Sequence, residues 1–294
     1  MSIILFSLIL IYISYLILLV RFNYNFKKPP RVHPRTGNIV PISVIVAVKN
    51  GETSLPILID CLKNQTYTGE VEYIIVDDQS TDNTQSIIAE IANEDNRFIF
   101  ASSLEGEESL SFKKKALDSG IKLAKHEWLL FTDVDCRPPI FWVEEMAEYF
   151  TEKADYVIGM SKVIPDKSFL SIFQSIDFQM LMTATYAQSN MGHPWACTGQ
   201  NQAYRKSIFN KVSGFKHLSS LLQGDDSVFM QLCKMSGAKI ISGMTKNPMI
   251  ARTEKYWWKF LKQRMRWAGD SRYMIKLCPT FFIASLITFL ANLL

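Results

Sequence analysis

Ile42-Ser43-Val44-Ile45-Val46-Ala47-Val48 is apolar at every position but one, and five of its seven residues are Val or Ile. Such a run reads as a strand buried on both faces, the kind found inside a parallel sheet. The same signature returns at residues 71–76 (VEYIIV), 97–101 and 127–132 (EWLLFT). Between these runs the apolar spacing becomes helical. Leu55, Leu58, Ile59 and Leu62 form one stripe, and Ile87, Ile88 and Ile91 form another over residues 83–93, with Ser80 or Asp82 placed to cap it. Residues 113–125 read as a third helix. Strand and helix alternate at the spacing of right-handed βαβ units, which predicts an α/β fold with a mainly parallel sheet.

Ligands of such sheets bind beyond the carboxyl ends of the strands. Lys49, Asn50 and Glu52 follow the first strand, Asp77, Asp78 and Ser80 the second, and Asp133 and Asp135 the run at 127–132. One loop aspartate is an ordinary turn residue. Several carboxylates on one edge repel one another, and call for a metal ion or a donor-rich ligand. No G-x-G-x-x-G follows the first strand, and G-x-x-x-x-G-K-[ST] and G-x-S-x-G are both absent. His33, His126, His193 and His217 do not pair at metal-ligand spacing. What remains is Mg²⁺ or Mn²⁺ held by carboxylates and binding a diphosphate.

The chain has 294 residues, 48% of them apolar and 20% charged, with a net charge of +4. That excludes a disordered or collagen-like chain. Its five cysteines are widely spaced with no C-x-x-C, which fits a reducing compartment better than a disulfide framework. Residues 1–20 carry no charge, long enough as a helix to span a bilayer core of about 30 Å. A cleaved signal peptide is the rival reading, but a basic n-region and a small-residue cleavage site are missing. Arg21, Lys27, Lys28, Arg31 and Arg35 follow, in a proline-containing linker at 21–40. Positive flanks stay cytoplasmic, so the body of the chain is expected on the cytosolic side of the membrane. Residues 279–294 form a second apolar segment, of which 280–294 is uncharged and reaches roughly 22 Å as a helix, short of a full span.

The order SVIVAVKNGE, YIIVDDQSTDNT, KKKALDSGIKLAKHEWLLFTDVDC, then QGDD (223–226) and QRMRW (263–267) resembles glycosyltransferase family 2 with a GT-A fold. The late motifs resemble its membrane-bound branch, which includes cellulose, chitin and hyaluronan synthases and ceramide glucosyltransferases. The resemblance covers about residues 40–275. It implies a nucleotide-sugar donor, usually UDP-linked, and an inverting transfer. Residues 41–165 would form the donor-binding half, 166–250 the acceptor-binding half and 251–278 an interfacial helix region.

The resemblance also implies residue roles. Ala47, Val48, Lys49 and Asn50 match the loop along the nucleotide, and Asp78, supported by Asp77, matches the contact to the base. Lys113 matches a lysine that reaches the donor phosphates, although Phe112 stands where glycine is common. Asp133 and Asp135 match the D-x-D pair, with Asp135 on the metal and Asp133 over the ribose or behind it. Asp226 matches the catalytic base, and Gln263, Arg266 and Trp267 the motif beside diphosphate and acceptor. In 193–201 (HPWACTGQN), Trp195 is suited to stack on a sugar, Thr198 to hydrogen-bond and Gly199 to allow close approach; Asp225 adjoins the same site.

Physical chemistry supports these roles independently. A divalent ion neutralises charge on a departing diphosphate. Asp226 at a helix start is expected to stay ionised, favoured by the helix dipole, and the same position makes it an N-cap. Arg266 offers a planar fork for phosphate oxygens. The mixture of Tyr256, Trp257, Trp258, Phe260 and Trp267 with Lys and Arg over 254–276 suits an anionic lipid surface; between apolar termini, that reading displaces nucleic acid as the partner. Residues 169–186, apolar with polar breaks at Gln174, Asp177 and Gln179, fit a buried helix or a methionine-lined groove, and the resemblance implies an amphipathic helix at the same surface. With one anchor and one short apolar tail to line a channel, transfer of one or a few sugars to a lipid or glycan acceptor is expected. The alternatives are a processive polysaccharide synthase and a non-catalytic membrane-bound sensor of sugar nucleotides or assembly subunit.

Overall fold

The computed structural model describes residues 2–293, with side chains from residue 5 onward. Met1 and Leu294, the outer ends of the two expected apolar segments, lie outside the described residues. The chain runs α1 (Ser2–Phe26), β1 (Ile42–Val48), α2 (Leu55–Lys63), β2 (Val71–Asp77), α3 (Thr84–Glu94), β3 (Phe98–Ser102), α4 (Phe112–Leu123) and β4 (Trp128–Phe131). It continues through α5 (Trp142–Ala147), β5 (Tyr156–Ile158), β6 (Ser161–Val163), α6 (Phe169–Asn190), β7 (Gln202–Arg205), α7 (Lys206–Lys211), α8 (Ser227–Met235) and β8 (Ile240–Ser242). It ends with β9 (Met249–Ala251), α9 (Trp257–Ala268), α10 (Ser271–Leu277) and α11 (Pro279–Asn292).

Seven strands form one sheet in the order β3-β2-β1-β4-β7-β5-β8. β1 is parallel to both its neighbours, β2 and β4, and only β7 runs against its neighbours. Alternation along β1 feeds two cores. Ile42, Val44, Val46 and Val48 join a cluster with α2, α3 and α5, while Ile45 joins one with α4, α7 and α8. Gly120 lets α4 lie close on the second face, since a Cβ there would meet Ile45 Cγ2 at 2.7 Å and Val76 Cγ2 at 2.9 Å. β7 and β8 complete a sheet begun before residue 165, so the expected donor and acceptor halves share one sheet.

α1 lies against α6 and α11. Leu5–Phe26 is long and apolar enough to cross a membrane, with a mean hydropathy of 2.3. Its end is pinned by polar contacts: Asn190 Nδ2 donates to the Asn25 carbonyl at 3.1 Å, and Arg31 Nε donates to the Asn190 carbonyl at 3.0 Å. The stretch 254–276 forms two helices, α9 and α10, rather than one, with the break at Gly269-Asp270. α10 and α11 are bent by 111° across Cys278. All five cysteines are free.

Candidate active site

Val48 pairs in register with Asp77, so the loops after β1 and β2 leave the sheet side by side. Hydrogen bonds knit them together. Asn50 N–H donates to Ser80 Oγ at 2.9 Å, Thr81 N–H to Asn50 Oδ1 at 2.8 Å and Gly51 N–H to Thr84 Oγ1 at 2.7 Å. Asn50 takes a left-handed φ of 52° to do this. Asp77 is buried and accepts from Gln85 Nε2 at 2.8 Å. Asp78 donates its N–H to the Val48 carbonyl at 2.7 Å, and its carboxylate faces Lys49 at 3.8 Å. A Cβ on Gly51 would meet Val134 Cγ2 at 3.3 Å. This pair of loops therefore abuts the turn that carries Asp133 and Asp135.

The second half of the site gathers on Lys113. Its ammonium sits 2.7 Å from Asp133 Oδ1 and 3.2 Å from Asp225 Oδ2. Desolvation works against that ammonium, but Asp133, Asp225 and Asp226 outweigh it and raise its pKa above the ordinary lysine value. Gly199 closes the group: a Cβ there would lie 3.1 Å from Lys113 Nζ, 3.6 Å from Asp225 Oδ2 and 3.9 Å from Asp226 Cβ. Phe112, where glycine was noted as common, has φ 56°. This left-handed turn is what brings Lys113 round to the carboxylates, and it explains the glycine preference.

Asp226 caps α8, accepting from the Ser227 N–H. The dipole does not keep it a strong acid as the sequence suggested. Desolvation, then the Asp225 carboxylate, push its pKa up to about 7 against the pull of the Ser227 N–H and Lys113. Asp135 is raised in the same direction, by desolvation and by Asp133, with Arg252 opposing. Asp133, Asp135 and Cys136 can bring one ligand atom each within 4.8 Å of one another. Two hard carboxylate oxygens, one of them in an environment that penalises its charge, fit Mg²⁺ or Mn²⁺.

Of the other expected residues, Trp195 is the one committed to contacts outside this group. Trp195 is only 8% exposed, wedged between Phe22 of α1 and Phe281 of α11 at ring distances of 5.6 and 5.7 Å. Its Nε1 donates to Thr280 Oγ1 at 3.1 Å. Thr198 is half-buried and accepts from the Gln200 N–H at 3.3 Å. Gln263, Arg266 and Trp267 lie on α9, and among the described residues no side-chain hydrogen bond or ion pair joins Gln263 or Arg266 to the acidic group. The guanidinium that is fixed there is Arg264, paired with Asp177 and stacked on Trp267 at 4.1 Å.

Sequence reasoning missed several participants. Lys114 is buried behind the acidic loop, Arg252 opposes the rise at Asp135, and Asp270 is pushed up by burial and by Asp225 while Lys114 pulls it down. Ser227 and Gln231 of α8 hold the 194–197 loop: Gln231 Nε2 donates to the Pro194 and Trp195 carbonyls at 2.8 and 2.9 Å. Ser227 Oγ donates to the Cys197 carbonyl at 3.0 Å. Cys197 itself is buried, and burial drives its thiol pKa well above the usual value, as suits packing rather than nucleophilic work.

The sequence profile of Glycosyl transferase family 2 matches residues 43–213, more than half of the chain. The chain belongs to glycosyl transferase family 2. The family domain thus covers β1 through α7, while Asp225 and Asp226 lie just beyond it. Probable glycosyltransferase YdaM of Bacillus subtilis is 25% identical over 270 residues, which make up 86% of this chain and 60% of the relative. Putative glycosyltransferase EpsH of the same organism is 33% identical over 59% of this chain and 44% of its own length. This chain therefore spans less than two thirds of the length of both relatives. Among solved structures, the mannosyltransferase PcManGT of Pyrobaculum calidifontis, in complex with GDP-Man and Mn²⁺, superimposes with a TM-score of 0.69 at 20% identity, covering 90% of this chain and 71% of that one. TarS 1–349 of S. aureus, in complex with UDP, gives 0.50 at 21% identity over 72% of this chain and 60% of its own. At these identities the likeness is one of fold, and it agrees with the expected GT-A architecture.

Proposed function

We propose that this chain is an inverting glycosyltransferase that moves a sugar from a nucleotide-sugar donor, UDP-linked in the first instance, to an acceptor held at a membrane. The observation that carries the reading is the meeting of Asp133, Asp225 and Asp226 around Lys113, with Asp135 adjoining, at the carboxyl edge of a parallel sheet. The complexes of PcManGT with GDP-Man and Mn²⁺ and of TarS with UDP support a nucleotide donor and a divalent metal.

In this reading Ala47, Val48, Lys49 and Asn50 line the nucleotide, Asp78 contacts the base and Asp77 braces that loop. Asp135, with Asp133 beside it, would hold Mg²⁺ or Mn²⁺, which when bound would supply positive charge to offset that of a departing diphosphate. Lys113 shares its ammonium between those carboxylates and the donor phosphates. Asp226, with a pKa near 7, takes the proton from the acceptor hydroxyl, and Asp225 keeps that pKa high. Gly199 leaves the acceptor room beside Lys113, and Thr198 offers it a hydroxyl. Gln263, Arg266 and Trp267 act from α9 on the diphosphate and acceptor. Trp195 is not carried into the acceptor set, because its ring is committed to Phe22 and Phe281.

Membrane attachment is supported by Leu5–Phe26 and by exposed Phe169, Ile176 and Met180 on α6 beside Trp257, Trp258 and Leu261 on α9. The basic linker at 21–40 supports a cytosolic catalytic face. A processive synthase is the second reading, favoured by a hyaluronan synthase of Pasteurella multocida that is 30% identical over 47% of this chain and 13% of its own length. The test is a donor screen on the full chain in bilayers, reading released nucleoside diphosphate with and without lipid extract and with EDTA. Metal-dependent release with short product is expected. Long polymer would favour the synthase, and binding without turnover for every donor and extract would sink the enzyme reading.

A further inference from the structure

α4 opens with three lysines, Lys113, Lys114 and Lys115, at the helix end where the backbone dipole disfavours cations. Lys114 is also only 1% exposed. Burying an ammonium is costly unless its donors are satisfied. Among the described residues no carboxylate forms an ion pair with Lys114. Its Nζ donates instead to two main-chain carbonyls, those of Leu221 and Gln223, the second at 2.9 Å. Those carbonyls belong to the irregular segment that delivers Gly224, Asp225 and Asp226. Gly224 turns with φ 104°, and beyond it the Gly224 carbonyl accepts from the Phe229 N–H at 3.0 Å and the Asp225 carbonyl from Gln202 Nε2 at 3.3 Å, which leaves the Leu221 and Gln223 carbonyls to Lys114. Asp225 and Asp270 both oppose the loss of charge that burial imposes on Lys114. Asp270 lies between α9 and α10, so this one ammonium meets groups of two separate segments besides its own helix.

We propose that Lys114 is the positioning residue of the base loop: by tying the Leu221 and Gln223 carbonyls to α4 it sets where Asp226 stands, without touching substrate itself. The proposal rests on the reading of Asp226 as the general base. It gives the adjacent lysines different tasks. Lys113 meets carboxylates in the open site, and Lys114 clamps the backbone behind it. An error of about 1 Å in such a group costs roughly 100-fold in rate.

Lys114→Met keeps the aliphatic stem and removes the donors. In the full chain in bilayers, kcat is expected to fall about 100-fold, with the KM for donor and the Kd for UDP–Mn²⁺ little changed. Amide exchange over 221–226 is expected to speed up by tenfold or more, with β1 and β2 still protected. Lys114→Gln retains an amide donor and is expected to recover part of both signals; if the Met variant does not fold, the Gln variant is read by the same criteria. Wild-type kcat, or unchanged exchange over 221–226, overturns the proposal. So does a joint fall in kcat, donor affinity and sheet protection, which would mark Lys114 as a general packing residue. Wild-type protein that neither binds nor turns over any sugar nucleotide overturns the functional reading and with it the kinetic claim, while the exchange data still decide whether Lys114 holds the loop.

Discussion

The loops after β1 and β2 and the loops after β4 and before α8 share one edge of one sheet, yet they treat acidic side chains in opposite ways. In the first pair every carboxylate is answered locally. Glu52 accepts from Asn83, Asp77 from Gln85 and Asp82 from Glu52 and Thr84. At Asp82 a desolvation cost is outweighed by those bonds, and its pKa falls below the ordinary aspartate value. In the second pair Asp133, Asp225 and Asp226 share Lys113, and the pKa values of Asp135 and Asp226 rise. A lattice that satisfies itself shapes a surface. A cluster left short of positive charge is suited to receive a cation and to move a proton.

The strongest test of this contrast is Asp226→Asn. Transfer is expected to drop by about 10²–10⁴-fold, with metal-dependent UDP binding retained; persistence of transfer would break the assignment. Next is pH. The free-enzyme kcat/KM should rise as pH passes through about 7, the point at which Asp226 loses its proton. Stability of the metal-free protein runs the other way. Between the unfolded value of about 3.9 and about 7, the native state keeps a proton that the unfolded chain has lost, so stability declines over that window. The melting-point advantage of Asp226→Asn over wild type should therefore grow from pH 5 to pH 8, and a constant difference would show that Asp226 is not raised.

A smaller effect is expected at Gly199→Ala. The new methyl would stand 3.1 Å from Lys113 Nζ and push the ammonium away, with kcat/KM falling about tenfold. The smallest is Phe112→Gly. The ring is exposed and the residue holds φ 56°, so relief of the left-handed conformation should add about 1 kcal/mol to stability in denaturant titration. A loss of stability would mean that the exposed ring has a partner that outweighs its backbone.

The same contrast explains what could be read in the sequence. β1 has the bounds its apolar run marks, and α2 buries the stripe expected of it, because burial on both faces or on one stripe is a local pattern. Asp133, Asp135 and Asp226 were legible as loop carboxylates after strands or before a helix. The antiparallel insertion of β7 was not, since four residues carry no sign of their neighbour's direction. Lys114 sat in a lysine run that reads as a solvated face, and only the approach of residues 221–223 buries it. Trp195 read as a sugar platform because its partners, Phe22 and Phe281, are remote in sequence. The split of 254–276 was signalled by Gly269-Asp270, a helix-breaking pair that the aromatic and basic composition overshadowed.

The wedge made by Trp195 has a practical consequence for anyone who trims this chain. The ring is gripped by one helix from each terminus, and the residues after it run through Cys197 and Ser227 to the carboxylate at the head of α8. Cutting away either hydrophobic end to obtain a soluble fragment strips one wall from that indole. Such a fragment would keep a well-made sheet and report faithfully on nucleotide affinity, but it would misjudge turnover.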